Sequence, residues 1–212
     1  MTIYEKTKTF VSTRYGSDFT GHGWDHINRV EKMALHICEK EGGNKQIVQL
    51  SVLLHDYIDD KLTDEDIALK EVKDFLVDLS ISTNEVDHII AIITQISFSK
   101  GINAEELTLE GKIVQDADRL DAIGAIGIAR TLTYGGAKNR VLYDPKVTPR
   151  TNMSKEEYRS GDSTTINHFY EKLLLLKDQM NTDTAKDMAR KRHNVMKDFL
   201  EQFIKEWNSE DF

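Results

Sequence analysis

The scarcity of proline is the feature of this sequence that most limits its fold. Only two prolines occur in 212 residues, Pro145 and Pro149, and both lie in one short segment. Because proline breaks helices more strongly than any other residue, the rest of the chain is open to helix formation. Helix-forming residues dominate there, and the alternating pattern of half-buried strands is hard to find. We therefore predict an all-α fold.

Apolar residues with helical spacing place the individual helices along the chain. The predicted helices are Ile3–Tyr15, Trp24–Glu41, Asn44–Asp60, Glu65–Leu79, Glu85–Phe98, Leu107–Tyr134, Thr164–Met180 and Asp183–Trp207. Ser82 and Glu85 have the spacing of a capping box. Gly124 and Gly127 suggest that another helix approaches closely, and Gly135-Gly136 is expected to end the helix before it. Ala137–Met153, which holds both prolines, is expected to form a long surface loop.

Composition limits the class of protein and its partners. The length suits one domain, and no apolar run reaches transmembrane length. The N-terminus lacks a signal-peptide pattern, and a single cysteine, Cys38, suits a reducing cytoplasm. A net charge of −8 argues against a nucleic-acid or anionic-membrane surface. We expect a cytoplasmic monomer or homodimer that binds neither nucleic acid nor membrane, whereas a small phosphorylated substrate stays possible.

The stretch Ser51–Asp60 joins an apolar run to a histidine and three carboxylates. Val52-Leu53-Leu54 leads directly into His55-Asp56, and Asp59-Asp60 follow one turn later. Burying carboxylates is costly, but a divalent cation would neutralise them and take the imidazole as a ligand. The alternative is a helix end that reaches solvent, with His55 favoured by the helix dipole.

Carboxylates beside apolar runs recur at residues 113–129, where three aspartates lie between two apolar runs. An exposed acidic face with Arg119 pairing locally is the alternative there. Histidines and carboxylates near the ends of three predicted helices then form one mixed donor set: His26, His55, Asp56 and one of Asp116, Asp118 and Asp121. Such a set suits Mn²⁺, Mg²⁺, Ni²⁺, Fe²⁺, Co²⁺ or Zn²⁺ and contains no thiolate. Four ligands on an octahedral ion leave positions for a water and a substrate oxygen.

The order His…His-Asp…Asp resembles the HD-domain superfamily of metal-dependent phosphohydrolases. The matching elements are WDHINRV (Trp24–Val30), LLHDYIDDK (Leu53–Lys61), DADRLDAIGAIGIAR (Asp116–Arg130) and INHFYEKLL (Ile166–Leu174). The likeness is closest to the short, stand-alone bacterial members. It implies an all-α, single-domain helical bundle of the HD-domain type over residues 1–212. The metal-site core would span roughly 20–135, and C-terminal helices at roughly 154–209 would pack on it.

The resemblance also implies a role for each matching residue. One divalent cation would be held by four ligands: His26, His55, Asp56 and Asp118. Asp118 is the aspartate that lies directly before Arg119-Leu120. Two further aspartates, Asp116 and Asp121, would lie next to these ligands without binding the metal themselves. The acidic pair Asp59 and Asp60 would orient or deprotonate the attacking water. Substrate phosphate would be held by cationic or hydrogen-bonding side chains: His22, Arg29, Lys61, His168 and Lys172. His168 and Lys172 would close the pocket from the C-terminal side.

Three functions follow from these residues. The leading one is a metal-dependent phosphohydrolase that acts on a nucleotide by attack of metal-activated water on phosphorus, with nucleoside triphosphate pyrophosphohydrolysis favoured. The alternative is a non-catalytic, nucleotide-binding regulatory module that retains the metal site. An iron oxygenase on the same scaffold is a third, but it usually needs further histidines for a second iron, and these are not evident in the sequence.

Overall fold

The computed structural model describes residues 1–12, 23–58, 65–96, 106–150 and 163–211. These residues form helices joined by turns and loops, and no strand occurs among them, which confirms the all-α prediction. No membrane-crossing helix is found in this part of the chain. Contacts divide the chain into two compact units, Met1–Asp118 and Arg119–Phe212, and each is described below by itself.

The first unit is organised around a buried central helix. Its elements are α1 (Ile3–Ser12), α2 (Trp24–Glu41), α3 (Lys45–Leu54), a 3₁₀ turn (His55–Ile58), α4 (Glu65–Asp78), α5 (Thr83–Gln95) and most of α6 (Leu109–Asp121). Helix α3 packs against α1, α2 and α5. Seven of its ten residues are buried. An apolar helix of this kind is stable only when neighbours cover it on most sides.

Local sequence signals fix where these helices begin and end. The Asn44 side chain accepts hydrogen bonds from the backbone N–H groups of Gln46 and Ile47, which starts α3. Ser82 and Glu85 form the predicted capping box at the start of α5. Gly42, at φ +89°, follows the end of α2 and donates to the Cys38 carbonyl.

The second unit is built on a long C-terminal helix. After the end of α6 it contains α7 (Gly124–Ala137), α8 (Asn167–Glu171), a 3₁₀ segment (Leu173–Gln179) and α9 (Asp183–Trp207). Helix α9 packs against α7 and against the 3₁₀ segment. Its buried residues, Ala185, Ala189, Met196 and Leu200, have the spacing of one helical face.

The prediction of one helix over Leu107–Tyr134 was wrong, because the helix is interrupted between α6 and α7. Gly124 follows the break at φ +78°, a conformation that costs little only for glycine. A Cβ atom there would lie 3.0 Å from Cβ of Arg192 on α9, so the predicted close approach of another helix is confirmed at Gly124, whereas a Cβ at Gly127 would meet the nearby Ala122 carbonyl instead. The Arg192 guanidinium donates to the Leu120 carbonyl at the end of α6. The helix therefore does not continue here, and the Leu120 carbonyl accepts a hydrogen bond from the distant Arg192 instead.

The prediction that Gly135-Gly136 ends this helix was also wrong, since α7 continues to Ala137. Gly135 serves a packing role instead. A Cβ at Gly135 would lie 2.3 Å from the Thr165 hydroxyl oxygen, so only glycine permits this contact.

Two other predicted helices are not continuous. Thr164–Met180 contains α8 and the 3₁₀ segment, which are separated by Lys172 at φ −141°. Asn44–Asp60 is α-helical only to Leu54 and then tightens into the 3₁₀ turn. Residues 59 and 60 lie outside the described residues.

Candidate metal centre

Helix α2 places the first histidine of the site in its opening turn. His26 donates its backbone N–H to the Gly23 carbonyl, and only 2 % of the residue is exposed. Ile27 and Val30 beside it are fully buried. The imidazole is therefore held at the inner side of the helix rather than in solvent.

The 3₁₀ turn after α3 places the second histidine. Nδ1 of His55 lies 2.7 Å from the Val52 carbonyl oxygen. A carbonyl can only accept, so Nδ1 carries a proton, and in the neutral imidazole Nε2 then keeps its lone pair. Metal-binding histidines are commonly oriented by a hydrogen bond of this kind from the other ring nitrogen.

Helix α6 brings the third donor to the same place. Oδ1 of Asp118 lies 3.5 Å from Nε2 of His26 and 3.8 Å from Nε2 of His55. One donor atom from each of these three residues lies within 4.8 Å of the other two. Asp56 contacts the imidazoles with different oxygens, Oδ1 at 3.1 Å from His55 Nε2 and Oδ2 at 3.5 Å from His26 Nε2.

The geometry and charge of these side chains fit a divalent cation. Ligand atoms about 2.0–2.2 Å from one octahedral ion lie roughly 2.8–3.1 Å apart when they are neighbours and roughly 4.0–4.4 Å apart across the ion. The separations between nitrogen and oxygen here, 3.1 to 3.8 Å, lie between the neighbouring and the opposite distance. Two carboxylates beside two imidazoles would also balance the charge of one divalent ion. The described residues thus contain a possible His/Asp metal site.

The two other aspartates of this stretch have different surroundings. Asp116, two residues before Asp118, is completely buried. Asp121 is also buried and belongs to the second unit, where its Oδ2 lies 2.7 Å from Nη1 of Arg130. Arg130 therefore neutralises Asp121, an ion pair that the sequence analysis did not anticipate.

The predicted phosphate-binding and water-activating residues are only partly described. Arg29 lies on α2 one turn after His26 and is half-buried. Four predicted site residues lie outside the described residues: His22, Asp59, Asp60 and Lys61.

His168 and Lys172 lie in the second unit and are joined by a backbone hydrogen bond of 3.0 Å. Burial, together with the charges of Lys172 and Arg140, lowers the pKa of His168 to about 4. This imidazole is therefore neutral at pH 7.

Sequence reasoning missed a buried carboxylate between these two residues. Glu171 accepts hydrogen bonds from the backbone N and Nε of Arg150 at Oε1 and from Nη2 at Oε2, all at 3.0 Å. Ser163 donates to Oε1 at 2.9 Å. Burial favours the neutral acid, but these donors outweigh it and hold the pKa of Glu171 below its usual value. A carboxylate between the apolar core positions Phe169 and Leu173 was the available signal.

Comparisons with known proteins show which family model and which solved structures this chain resembles. The family model described as "HD domain" matches residues 23–123, which include all four of the clustered side chains. The Bacillus subtilis protein YpgQ is 42 % identical over 205 residues, which cover 95 % of this chain and 92 % of YpgQ.

Two crystal structures extend the likeness to three dimensions. An HD-superfamily hydrolase from Bacillus thuringiensis is 47 % identical, with a TM-score of 0.78 and coverage of 97 % of this chain and 96 % of that one. YpgQ in complex with ADP is 40 % identical, with a TM-score of 0.76 and coverage of 96 % and 97 %.

Proposed function

This chain belongs to the HD-domain family, and from that premise we propose that it is a metal-dependent phosphohydrolase acting on a nucleotide. The observation that carries the proposal is the convergence of His26, His55 and Asp118, with one donor atom each inside a 4.8 Å limit. Asp56 completes the set of four ligands. A divalent cation bound there would supply a water of lowered pKa and a polarised phosphoryl group.

The chain's own residues would prepare the site for this chemistry. The Val52 carbonyl holds the proton of His55 on Nδ1, so that the lone pair of Nε2 is available to bind the metal without any change in the protonation of the ring. Asp116 would support Asp118 from within α6. Asp59 and Asp60 would orient or deprotonate the attacking water, because a carboxylate three or four residues after Asp56 has the reach to do so.

Cationic and hydrogen-bonding side chains would hold the substrate phosphates during the reaction. Arg29, one turn after His26, is the one of these in the first unit that the structure describes. His22, which precedes Arg29 in the chain, and Lys61, which follows it, would also bind the substrate phosphates. Charge-assisted contacts of this kind stabilise the charge that develops on a transferred phosphoryl group.

A nucleotide substrate is supported by the relative YpgQ, whose crystal structure contains ADP. Among nucleotide reactions we favour the hydrolysis of nucleoside triphosphates with release of pyrophosphate. Attack of water at the α-phosphorus would give a monophosphate and pyrophosphate, whereas attack at the γ-phosphorus would give a diphosphate and phosphate.

Product analysis over a nucleotide panel tests the proposal. The full chain with Mn²⁺ is incubated with nucleoside triphosphates, diphosphates, monophosphates and cyclic nucleotides, and phosphate and pyrophosphate are measured separately. We expect pyrophosphate from triphosphates and its loss in Asp118→Asn. Tight nucleotide binding without turnover on any member of the panel would instead favour the non-catalytic regulatory module.

A further inference from the structure

The 3₁₀ turn that carries His55 and Asp56 is a short element. It spans four residues, His55–Ile58, and the hydrogen bonds of a 3₁₀ helix have poorer geometry than those of an α-helix. The turn packs against α3, α4 and α5. The place of the two proposed metal ligands therefore depends on the side-chain contacts that this turn makes with its neighbours.

Tyr57 makes two such contacts at opposite ends of its side chain. Its hydroxyl donates to Oε2 of Glu71 on α4 at 3.0 Å. Its ring stacks on the ring of Phe10 on α1, with the centroids 4.7 Å apart and the planes inclined by 24°. The residue is only 4 % exposed. Two helices that supply none of the four proposed ligands thus hold the residue next to Asp56.

Phe10 is itself held by α4. Its ring stacks on Phe75 with a centroid distance of 4.0 Å and an angle of 5° between the planes. Phe75 lies four residues after Glu71, so both side chains project from the same face of α4. This face therefore binds the Tyr57 hydroxyl directly and supports the Tyr57 ring through Phe10.

The backbone links this contact set to the metal centre. Consecutive Cα atoms are held about 3.8 Å apart, so Asp56 cannot keep its place if Tyr57 moves. With three residues per turn, the two side chains point in different directions. Asp56 lies 3.1 Å from Nε2 of His55 and 3.5 Å from Nε2 of His26, while Tyr57 contacts α1 and α4.

We propose that Tyr57, held by Glu71 and Phe10, is a positioning residue that sets the place of His55 and Asp56 before a metal ion binds. Ligands that are already in place bind an ion more tightly, because less ordering is required on binding. The inference rests on the proposed metal-dependent function and deepens it. It gives α1 and α4, which carry no ligand, a part in the metal affinity.

Tyr4 provides a matched control. Its hydroxyl donates to Oε2 of Glu31 at 3.0 Å, the same kind of hydrogen bond at the same length and in the same unit. This bond joins α1 to α2 and does not involve the 3₁₀ turn. A general loss of stability would therefore affect Tyr4→Phe and Tyr57→Phe alike, whereas a positioning role would affect only Tyr57→Phe.

NMR of the metal-free, full-length protein measures the position of His55 directly. Its Nδ1–H, which donates to the Val52 carbonyl, is assigned by its loss in His55→Asn, and its exchange with water is followed well below the melting temperature. Tyr57→Phe removes only the hydroxyl, and Tyr57→Leu also removes the stacked ring. We expect exchange to be about threefold faster or more in Tyr57→Phe, about tenfold or more in Tyr57→Leu, and less than about twofold faster in Tyr4→Phe.

Titration with Mn²⁺, followed by the electron paramagnetic resonance signal of the free ion, measures the effect on the metal. We expect Tyr57→Phe to weaken Mn²⁺ binding by about threefold or more and Tyr57→Leu by about tenfold or more. Tyr4→Phe should weaken it by less than about twofold.

The two measurements separate this proposal from the metal centre itself. Equal exchange rates in Tyr57→Phe and Tyr4→Phe overturn the positioning role, and so does faster exchange with an unchanged Mn²⁺ affinity. A wild-type protein that binds no Mn²⁺ contradicts the proposed metal-dependent function. The exchange of the His55 Nδ1–H then still decides whether Tyr57 holds the turn.

Discussion

At the scale of single residues, the carbonyl of Val52 determines what His55 can do. It fixes the ring proton on Nδ1 and turns Nε2 toward Asp118 and Asp56. The sequence predicted a donor set of His26, His55, Asp56 and one of three aspartates, because an apolar run that ends in His-Asp places both residues at a buried helix end, and the family resemblance implied Asp118 as the last ligand. It could not predict the Val52 contact, which depends on the tightening of α3 into a 3₁₀ turn.

Replacement of single aspartates tests the choice of the last ligand. Asp118→Ala should abolish Mn²⁺ binding, because it removes an oxygen that lies 3.5 Å from His26 Nε2 and 3.8 Å from His55 Nε2, whereas Asp116→Ala should only weaken it. Isothermal titration gives the affinities. Thermal melting gives an independent measure, because Mn²⁺ at 100 times its Kd should stabilise the wild-type protein by about 2.7 kcal/mol and the Asp118→Ala variant not at all. The reverse ranking, with helicity preserved in both variants, would assign the ligand to Asp116.

At the scale of elements, the helices themselves follow from apolar spacing and caps, but their breaks do not. The break between α6 and α7 depends on Arg192, which is 68 positions beyond Gly124 in the chain. Gly135 looks like a helix stop in the sequence, yet it serves a contact with Thr165. Such breaks are decided by long-range packing, which outweighs local propensity.

Two glycine substitutions should have opposite effects on stability. Gly124→Ala should destabilise the protein by about 1 kcal/mol or more, because alanine is strained at φ +78° and its Cβ would crowd Arg192. Gly136→Ala should stabilise it by up to about 1 kcal/mol, because Gly136 lies within α7 and an added Cβ would meet no atom within 4 Å. Urea denaturation measures both changes. Equal effects would contradict the assigned helix break.

At the scale of the whole molecule, the sequence predicted the fold class and the family, and both are confirmed. The prediction of a single domain over residues 1–212 stays a prediction. The ion pairs that stabilise the second unit were not predictable, because Asp121–Arg130 and Glu171–Arg150 join residues that no local pattern connects. Acid stability is a property of the whole chain that depends on such pairs.

The Glu171 pair should make the protein less stable in acid. Because the folded state holds the pKa of Glu171 below its unfolded value of 4.5, the stabilisation is complete above that pH. It is lost as the pH falls from there through the folded-state pKa. Glu171→Gln should lower the free energy of unfolding by about 1–3 kcal/mol at pH 7, with a smaller difference at pH 3.

Urea midpoints at pH 7, 5, 4 and 3 measure this effect, and Glu201→Gln is the control. Glu201 also accepts a hydrogen bond from a lysine, Lys205, but it is exposed on α9, where solvent screens the pair. Its replacement should change stability little at any pH. A Glu171→Gln deficit that stays constant from pH 7 to pH 3 would show that the carboxylate charge is not involved.

The connection from Arg140 to Arg150 is attached at both ends. The carbonyls of Val141 and Leu142 accept backbone hydrogen bonds from Thr165 and Ile166, and Arg150 donates to the Glu171 carboxylate. Between these attachments Val147 is held as well, because its carbonyl accepts a hydrogen bond from the Asn167 amide at 2.8 Å. An added residue before Val147 can bulge outward, whereas removal of one residue must pull apart one of the three attachments. Length variation among homologous chains should therefore consist of insertions at this point, with deletions rare.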